Sequence, residues 1–223
     1  MHSTPMTNVA TTARLGVLAA LVGAAVAAAV IGSGGPAHAA PKAPSPNTNS
    51  GMHGDPAAAV PYWRYQQQDF DCAEMAVADV IGQVSGHLPS EDEITGTAAN
   101  IPSASHPGPI YTGGRTSNKD LVPLLGHYGV PADAVHPSTT NTLAQRLDQG
   151  RKVIVGVNDK ILWNVPGDRS KENHFVVVIG IDTRANVVHV NDSGVEAGRD
   201  EQVSLGTFEA AWAAADNFAV VTR

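Results

Sequence analysis

The segment from His174 to Asp182, HFVVVIGID, constrains the fold more than any other part of the chain. A continuous apolar run of this kind is typical of a central strand buried on both faces. A second apolar segment, 187–190, follows after four residues with turn character, so the two segments are predicted to form an antiparallel hairpin. Further strands are predicted over 152–158 and 218–221. The C-terminal part of the chain is therefore expected to form an antiparallel sheet.

Helices are predicted mainly before this sheet. After Asp71, apolar residues recur at three- and four-residue steps, the period of a helix with one buried stripe. The stripe consists of Ala73, Ala76, Val77, Val80, Ile81 and Val84. Asp71 is suited to cap this helix and Gly86 to end it, and Ser90 begins a capping box. Shorter helices are predicted over 116–128, 140–149 and 207–215. This order predicts an α+β domain with N-terminal helices packed on an antiparallel sheet.

Residues 1–39 have the pattern of a secretory signal peptide. Arg14 precedes the uncharged apolar run 15–31, and Ala37-His38-Ala39 forms a small-x-small cleavage site. The alternative is a retained membrane anchor, because about 18 apolar residues just span a bilayer. The protein is accordingly expected to be secreted or held in the cell envelope.

Residues 40–59 are rich in Pro, Ser, Asn, Gly and Ala and lack apolar periodicity, so they are predicted to form a flexible linker. Residues 60–223 remain as one domain, which we expect to be monomeric. The formal net charge of −7, without a cluster of basic residues, argues against nucleic acid or an anionic membrane as its partner. The nine histidines lack metal-binding spacing and there is no glycine-rich phosphate loop, so neither a metal nor a cofactor is expected.

Cys72 is the single cysteine of the chain, which excludes an internal disulfide bond and suggests a reactive thiol. Its predicted place is the first turn of a helix, where free N–H groups and the helix dipole favour a thiolate. His174 begins the central strand, and Asp192 follows the next strand, so the hairpin is expected to bring them together. Cys72, His174 and Asp192 then suit the roles of nucleophile, base and orienting carboxylate. Gln66, with the main-chain N–H of Cys72, is a candidate oxyanion donor.

Each of these assignments has a competitor. His189 competes for the base, Asn191 for the orienting group, and Gln67 and Gln68 for the oxyanion donor. His189 and Asn191 are two residues apart in a strand and therefore share a face, which is expected to point away from Asp192. Trp163 either lines a substrate groove or packs in the core.

These motifs resemble the bacterial cysteine peptidases of family 39. The resemblance rests on QQQDFDC with the following helix AEMAVADVIG, on NHFVVVIGID, on VHVNDSG and on the closing FEAAW, and it covers roughly residues 60–223. That family is papain-like and is best known for removing double-glycine leaders from bacteriocins. The resemblance implies a papain-like fold, Cys72 as nucleophile, His174 as base, Asp192 as orienting carboxylate and Gln66 in the oxyanion hole. It therefore implies a stand-alone exported cysteine peptidase acting on peptide or protein substrates.

Two residues depart from the family pattern, and two other functions compete. Ala73 follows the cysteine where the family often has glycine, and Ser193 follows the aspartate where it often has proline. The resemblance covers the peptidase domain, and no attached transporter of the kind that leader-removing members carry is expected, so the double-glycine preference does not follow. One alternative is an acyl-transfer enzyme or cell-wall amide hydrolase with the same cysteine. The other is a catalytically silent papain-like module that binds peptides.

Overall fold

The computed structural model describes residues 51–136 and 139–223. The predicted signal peptide, residues 1–39, and linker residues 40–50 lie outside this range. The helices are α1 Pro56–Ala59, α2 Cys72–Ser85, α3 Glu91–Ala98, α4 Leu121–His127, α5 Thr140–Asp148, α6 Asp159–Leu162 and α7 Leu205–Ala213. The strands are β1 Met52–Gly54, β2 Ala132–Val135, β3 Val153–Val157, β4 His174–Asp182, β5 Val187–Asn191, β6 Glu201–Ser204 and β7 Ala219–Thr222.

The strands form one antiparallel sheet with β4 at its centre. Their order is β2-β7-β3-β4-β5-β6, and β1 pairs with the end of β4 beyond β3. Side chains of β4 alternate between two hydrophobic clusters, with Phe175 and Val177 on the side of α2 and Val176 and Val178 on the side of α7. β4 has the predicted bounds because a strand covered on both faces is apolar at almost every position.

Residues 52–59 differ from the predicted linker. β1 pairs with β4, and Asp55 caps α1 by accepting a hydrogen bond from the main-chain N–H of Ala58 at 3.1 Å. Gly54 has a positive φ of 86° and approaches the main chain of Ile179 so closely that a Cβ atom would lie 2.7 Å from its oxygen. Main-chain pairing at an edge requires no apolar pattern, so composition alone does not reveal it. The folded region therefore begins before the predicted boundary at residue 60.

The predicted helix after Asp71 is present and delivers Cys72 to its first turn, but two details were wrong. The side chain of Asp71 makes no capping hydrogen bond, and Val84 is 51% exposed rather than part of the buried stripe. Gly86 ends the helix with a positive φ of 78°. The predicted helix 116–128 is divided into a short 3₁₀ turn and α4, with Pro123 in the first turn of α4, where its missing N–H is not needed.

Besides β1 and α1, the edge strands β2 and β6 and the one-turn helix α6 were not predicted. Both strands are largely exposed, so they lack the alternation that identifies a half-buried strand. Within the described ranges, every helix is too short or too polar to cross a membrane.

Candidate active site

The N-terminus of α2 and the beginning of β4 meet at a cleft. Cys72 and His174 both line a cavity of about 370 Å³, and Gln66, from the loop before α2, lies on its wall. Cys72 is 8% exposed and His174 4% exposed, so both groups are largely shielded from bulk water. The structure thus brings together three of the four predicted site residues around one cavity, and the fourth lies directly behind His174.

Asp192 is that fourth residue. Its Oδ1 lies 2.7 Å from Nε2 of His174, and both side chains are buried. The contact arises because β4 and β5 pair through Val177 and Asn191, which brings the start of β4 beside the residues after β5. Since Nε2 is engaged by Asp192, Nδ1 is the ring nitrogen left for a proton from the thiol.

The charges in the site keep this pair ionised. Burial alone would lower the pKa of His174, but the negative charges of Asp192 and Cys72 and hydrogen bonding to both raise it well above 6.5. Burial likewise opposes ionisation of Asp192, but the charge and hydrogen bond of His174 outweigh it and lower the pKa of Asp192. An imidazolium beside a sulfur atom is therefore the favoured state of this arrangement.

Asp192 is also held by groups that sequence reasoning did not assign. Its Oδ2 accepts a hydrogen bond from Nε1 of Trp163 at 3.0 Å, and its Oδ1 accepts one from the main-chain N–H of Gly194 at 2.7 Å. The ring of Trp163 also packs against that of His174, with 5.1 Å between the ring centroids. Trp163 thus lines the cavity and shields the ion pair. The one sequence signal was the apolar trio Ile161, Leu162 and Trp163 within an otherwise polar loop before His174.

Gln66 is distinguished from its neighbours by burial. It is 9% exposed, whereas Gln67 and Gln68 are exposed. Its Nε2 donates a hydrogen bond to the main-chain oxygen of Gln68 at 2.8 Å, and its Oε1 accepts one from the hydroxyl of Ser193 at 2.9 Å. All three glutamines line the cavity that contains Cys72, and Gln66 is the one whose side chain is buried and whose amide is held at both ends.

The two competitors in β5 are engaged elsewhere. Nδ1 of His189 lies 2.7 Å from Asp200. The amide of Asn191 donates to the carboxylate of Asp79 in α2 at 2.7 Å. His174 and Asp192 therefore form the pair at the cleft, and His189 and Asn191 do not take part in it.

Two buried acids beside Cys72 were also missed. Asp71 is 1% exposed, and neither of its carboxylate oxygens has a hydrogen-bond partner in the described part of the chain. Burial raises its pKa to about 6, an effect that Tyr111 opposes and Glu91 reinforces. Glu74 is fully buried, and burial raises its pKa to about 7. Sequence gives no signal for this, because the N-cap and first turn of a helix do not reveal which loop will cover their polar side chains. Across residues 51–136 and 139–223, no group of three or more acidic, histidine or cysteine side chains is arranged to hold a metal ion.

The model of the Peptidase_C39 like family matches residues 59–220. The chain belongs to the Peptidase_C39 like family. An uncharacterized protein of Mycobacterium tuberculosis is 44% identical over 196 residues, which cover 77% of this chain and 84% of that protein. A relative in Mycobacterium bovis, also uncharacterized, has the same identity and coverage. The predicted family is therefore confirmed.

A solved structure confirms the α+β fold expected for the Peptidase_C39 like family. A C39-like protein from Bacillus anthracis has a TM-score of 0.58 at 19% identity, and the match covers 77% of this chain and 97% of that one. A double glycine motif protease from an AMS/PCAT transporter, solved with its leader peptide, has a TM-score of 0.45 at 13% identity. This match covers 71% of this chain and 88% of the protease.

Proposed function

We propose that this protein is an exported cysteine peptidase that hydrolyses peptide bonds with Cys72 as nucleophile. The observation that carries the proposal is the buried His174–Asp192 ion pair, 2.7 Å long, whose imidazole shares a cavity with a thiol at a helix N-terminus. A helix N-terminus favours an anion and an imidazolium stabilises it, so the local electrostatics favour a thiolate. Membership of a cysteine peptidase family supports the same chemistry.

In the proposed reaction, the Cys72 sulfur attacks the carbonyl carbon of the scissile bond. A C–S bond forms, and the negative charge passes to the carbonyl oxygen, which accepts hydrogen bonds from Nε2 of Gln66 and from the main-chain N–H of Cys72. The C–N bond then breaks as His174 gives its proton to the leaving amine. Water subsequently attacks the thioester while His174 accepts its proton, and the acid product leaves with the Cys72 sulfur restored as a thiolate.

An extended surface beside the cleft supports a peptide as the substrate. Tyr65 and Phe70 are 40% and 43% exposed and lie on the loop that precedes Cys72. A groove of about 550 Å³ continues from the cleft past Tyr65, and Arg199 stacks over the ring of Trp63 at 5.1 Å within it. Exposed aromatic side chains beside a cleft are typical of surfaces that bind extended chains.

The rate of Cys72 alkylation by iodoacetamide as a function of pH tests the nucleophile. We expect fast alkylation well below pH 8.5, the range of a free thiol, and loss of this advantage in His174→Ala. Peptide-library digestion followed by mass spectrometry tests hydrolysis, with Cys72→Ser as the inactive control. Slow alkylation at neutral pH that is indifferent to His174 would exclude the peptidase and favour the silent peptide-binding module.

Export is tested separately, because it rests on residues 1–39 rather than on the site. We expect the protein to accumulate outside the cytoplasm with a new N-terminus at Ala40, as determined by mass spectrometry of the intact protein. A retained N-terminus in a membrane fraction would indicate the anchor instead.

A further inference from the structure

The side-chain amide of Gln66 has a determined orientation. Its two hydrogen bonds, to Gln68 and Ser193, occupy opposite ends of the amide group. Because the carbonyl oxygen of Gln68 can only accept, Nε2 must face it, and Oε1 must then face the hydroxyl of Ser193. One N–H of Nε2 is used in this way, which leaves the second available to a group in the cavity.

The main chain around Gln66 is held from the helical layer. The two carboxylate oxygens of Glu91, in the first turn of α3, lie 2.8 and 2.9 Å from the main-chain nitrogen of Gln67. One of them also accepts a hydrogen bond from the main-chain N–H of Gln68 at 3.0 Å. Charge-assisted hydrogen bonds to two consecutive N–H groups fix the path of this exposed loop.

The same loop is held from the sheet by Ser193. The main-chain N–H of Gln66 donates to the oxygen of Ser193 at 2.9 Å, in addition to the side-chain contact. Ser193 directly follows Asp192, which binds His174. Two consecutive residues after β5 therefore contact the two groups: Asp192 holds His174, and Ser193 holds Gln66.

We propose that Ser193 and Glu91 are positioning residues that hold Nε2 of Gln66 toward the carbonyl oxygen of the peptide bond under attack. The inference rests on the proposed peptidase function. Neither residue lines the cavity that contains Cys72, and Glu91 lies on the wall of the adjoining groove past Tyr65. Ser193 acts through the side-chain amide of Gln66, and Glu91 acts through the main chain of Gln67 and Gln68.

Two reactions of the intact protein separate positioning from general damage. Alkylation of Cys72 by iodoacetamide requires the thiolate and His174 but no oxyanion donor, whereas hydrolysis of a fluorogenic peptide requires all three. We expect Ser193→Ala and Glu91→Gln each to lower kcat about tenfold, less than the roughly 100-fold or greater loss for deleting a donor, with KM and the alkylation rate within about twofold. Ser193→Thr, which keeps the hydroxyl, is expected to restore kcat.

Asp92→Asn is the matched control for Glu91→Gln. Asp92 is exposed in the same turn of α3. Its substitution also removes one negative charge, so a comparison of the two variants separates loss of the Glu91 hydrogen bonds from a change in helix electrostatics. We expect its kinetics to equal those of the wild type. Equal losses in Asp92→Asn and Glu91→Gln would overturn the role of Glu91, and an unchanged kcat in Ser193→Ala would overturn that of Ser193.

Nuclear magnetic resonance gives a readout that does not depend on turnover. We expect faster hydrogen exchange at the main-chain N–H groups of Gln67 and Gln68 in Glu91→Gln, and a shift of the Gln66 side-chain amide signals in Ser193→Ala. Unchanged exchange and unchanged signals would refute the positioning contacts. A wild-type protein that shows these contacts but hydrolyses no peptide would refute the proposed function and leave the contacts established.

Discussion

Replacing Glu74 by glutamine tests whether an acid buried behind Cys72 makes the protein less stable as the pH rises. Glu74 is fully buried; its Oε1 accepts a hydrogen bond from the hydroxyl of Thr116 at 2.5 Å, and its Oε2 has no partner among the described residues. Burial raises its pKa from 4.5 to about 7, and the negative charges of Asp71 and Asp120 add to this effect. Glutamine has the same shape and keeps an acceptor for Thr116, but it carries no charge.

The direction of the change in stability with pH follows from which state binds more protons. Between pH 4.5 and about pH 7, the folded protein keeps a proton on Glu74 that the unfolded chain has released, so stability falls as the pH rises through this interval. The full interval corresponds to about 3 kcal/mol in the free energy of unfolding, of which about 2 kcal/mol is lost between pH 5 and pH 8.

Urea unfolding followed by tryptophan fluorescence measures this difference. The free energy of unfolding of Glu74→Gln, measured relative to that of the wild type, is expected to rise by about 2 kcal/mol between pH 5 and pH 8. Other buried acids titrate in both proteins, so their contributions cancel in this difference. Glu196→Gln, at an exposed position, is the control and should follow the wild type at every pH. Parallel stability curves for Glu74→Gln and the wild type would refute the argument that burial holds a proton on Glu74.

Three further predictions concern the cleft. Asp192→Asn is expected to lower kcat/KM for a peptide by about 10- to 100-fold, because the amide oxygen can still accept a hydrogen bond from Nε2 of His174 but no longer balances the charge of the imidazolium; unchanged kcat/KM would contradict this. Trp163→Phe keeps a ring beside His174 but removes the N–H donor to Asp192, so we expect kcat/KM to fall about tenfold; unchanged kinetics would show that this hydrogen bond is dispensable. Arg199→Glu is expected to reduce cleavage of acidic relative to neutral peptides about tenfold in a library digest, whereas Arg184→Glu, at the β4–β5 turn, should leave the preference unchanged. An equal preference in the two arginine variants would show that Arg199 does not contact the substrate.

The sequence by itself determined the elements that hold the candidate site. The apolar run of β4 and the turn before β5 predict a hairpin, and a hairpin brings His174 and Asp192 together without reference to the rest of the fold. The apolar period after Asp71 predicts a helix that begins at Cys72. These features are local, because the spacing of apolar residues that identifies a strand or a helix involves only neighbouring residues.

Only the tertiary structure decided how the site is supported. The hydrogen bond from Trp163 to Asp192, the clamp of Glu91 on the Gln66 loop and the burial of Glu74 join residues from 24 to 42 positions apart. The pairing of β1 with β4 likewise depends on main-chain groups, which every sequence provides. Such contacts arise when distant segments pack and exclude water, and packing selects among partners that the local pattern leaves equivalent. The sequence therefore identified the candidate reactive residues, and the packing of loops around them determined which neighbours hold them in place.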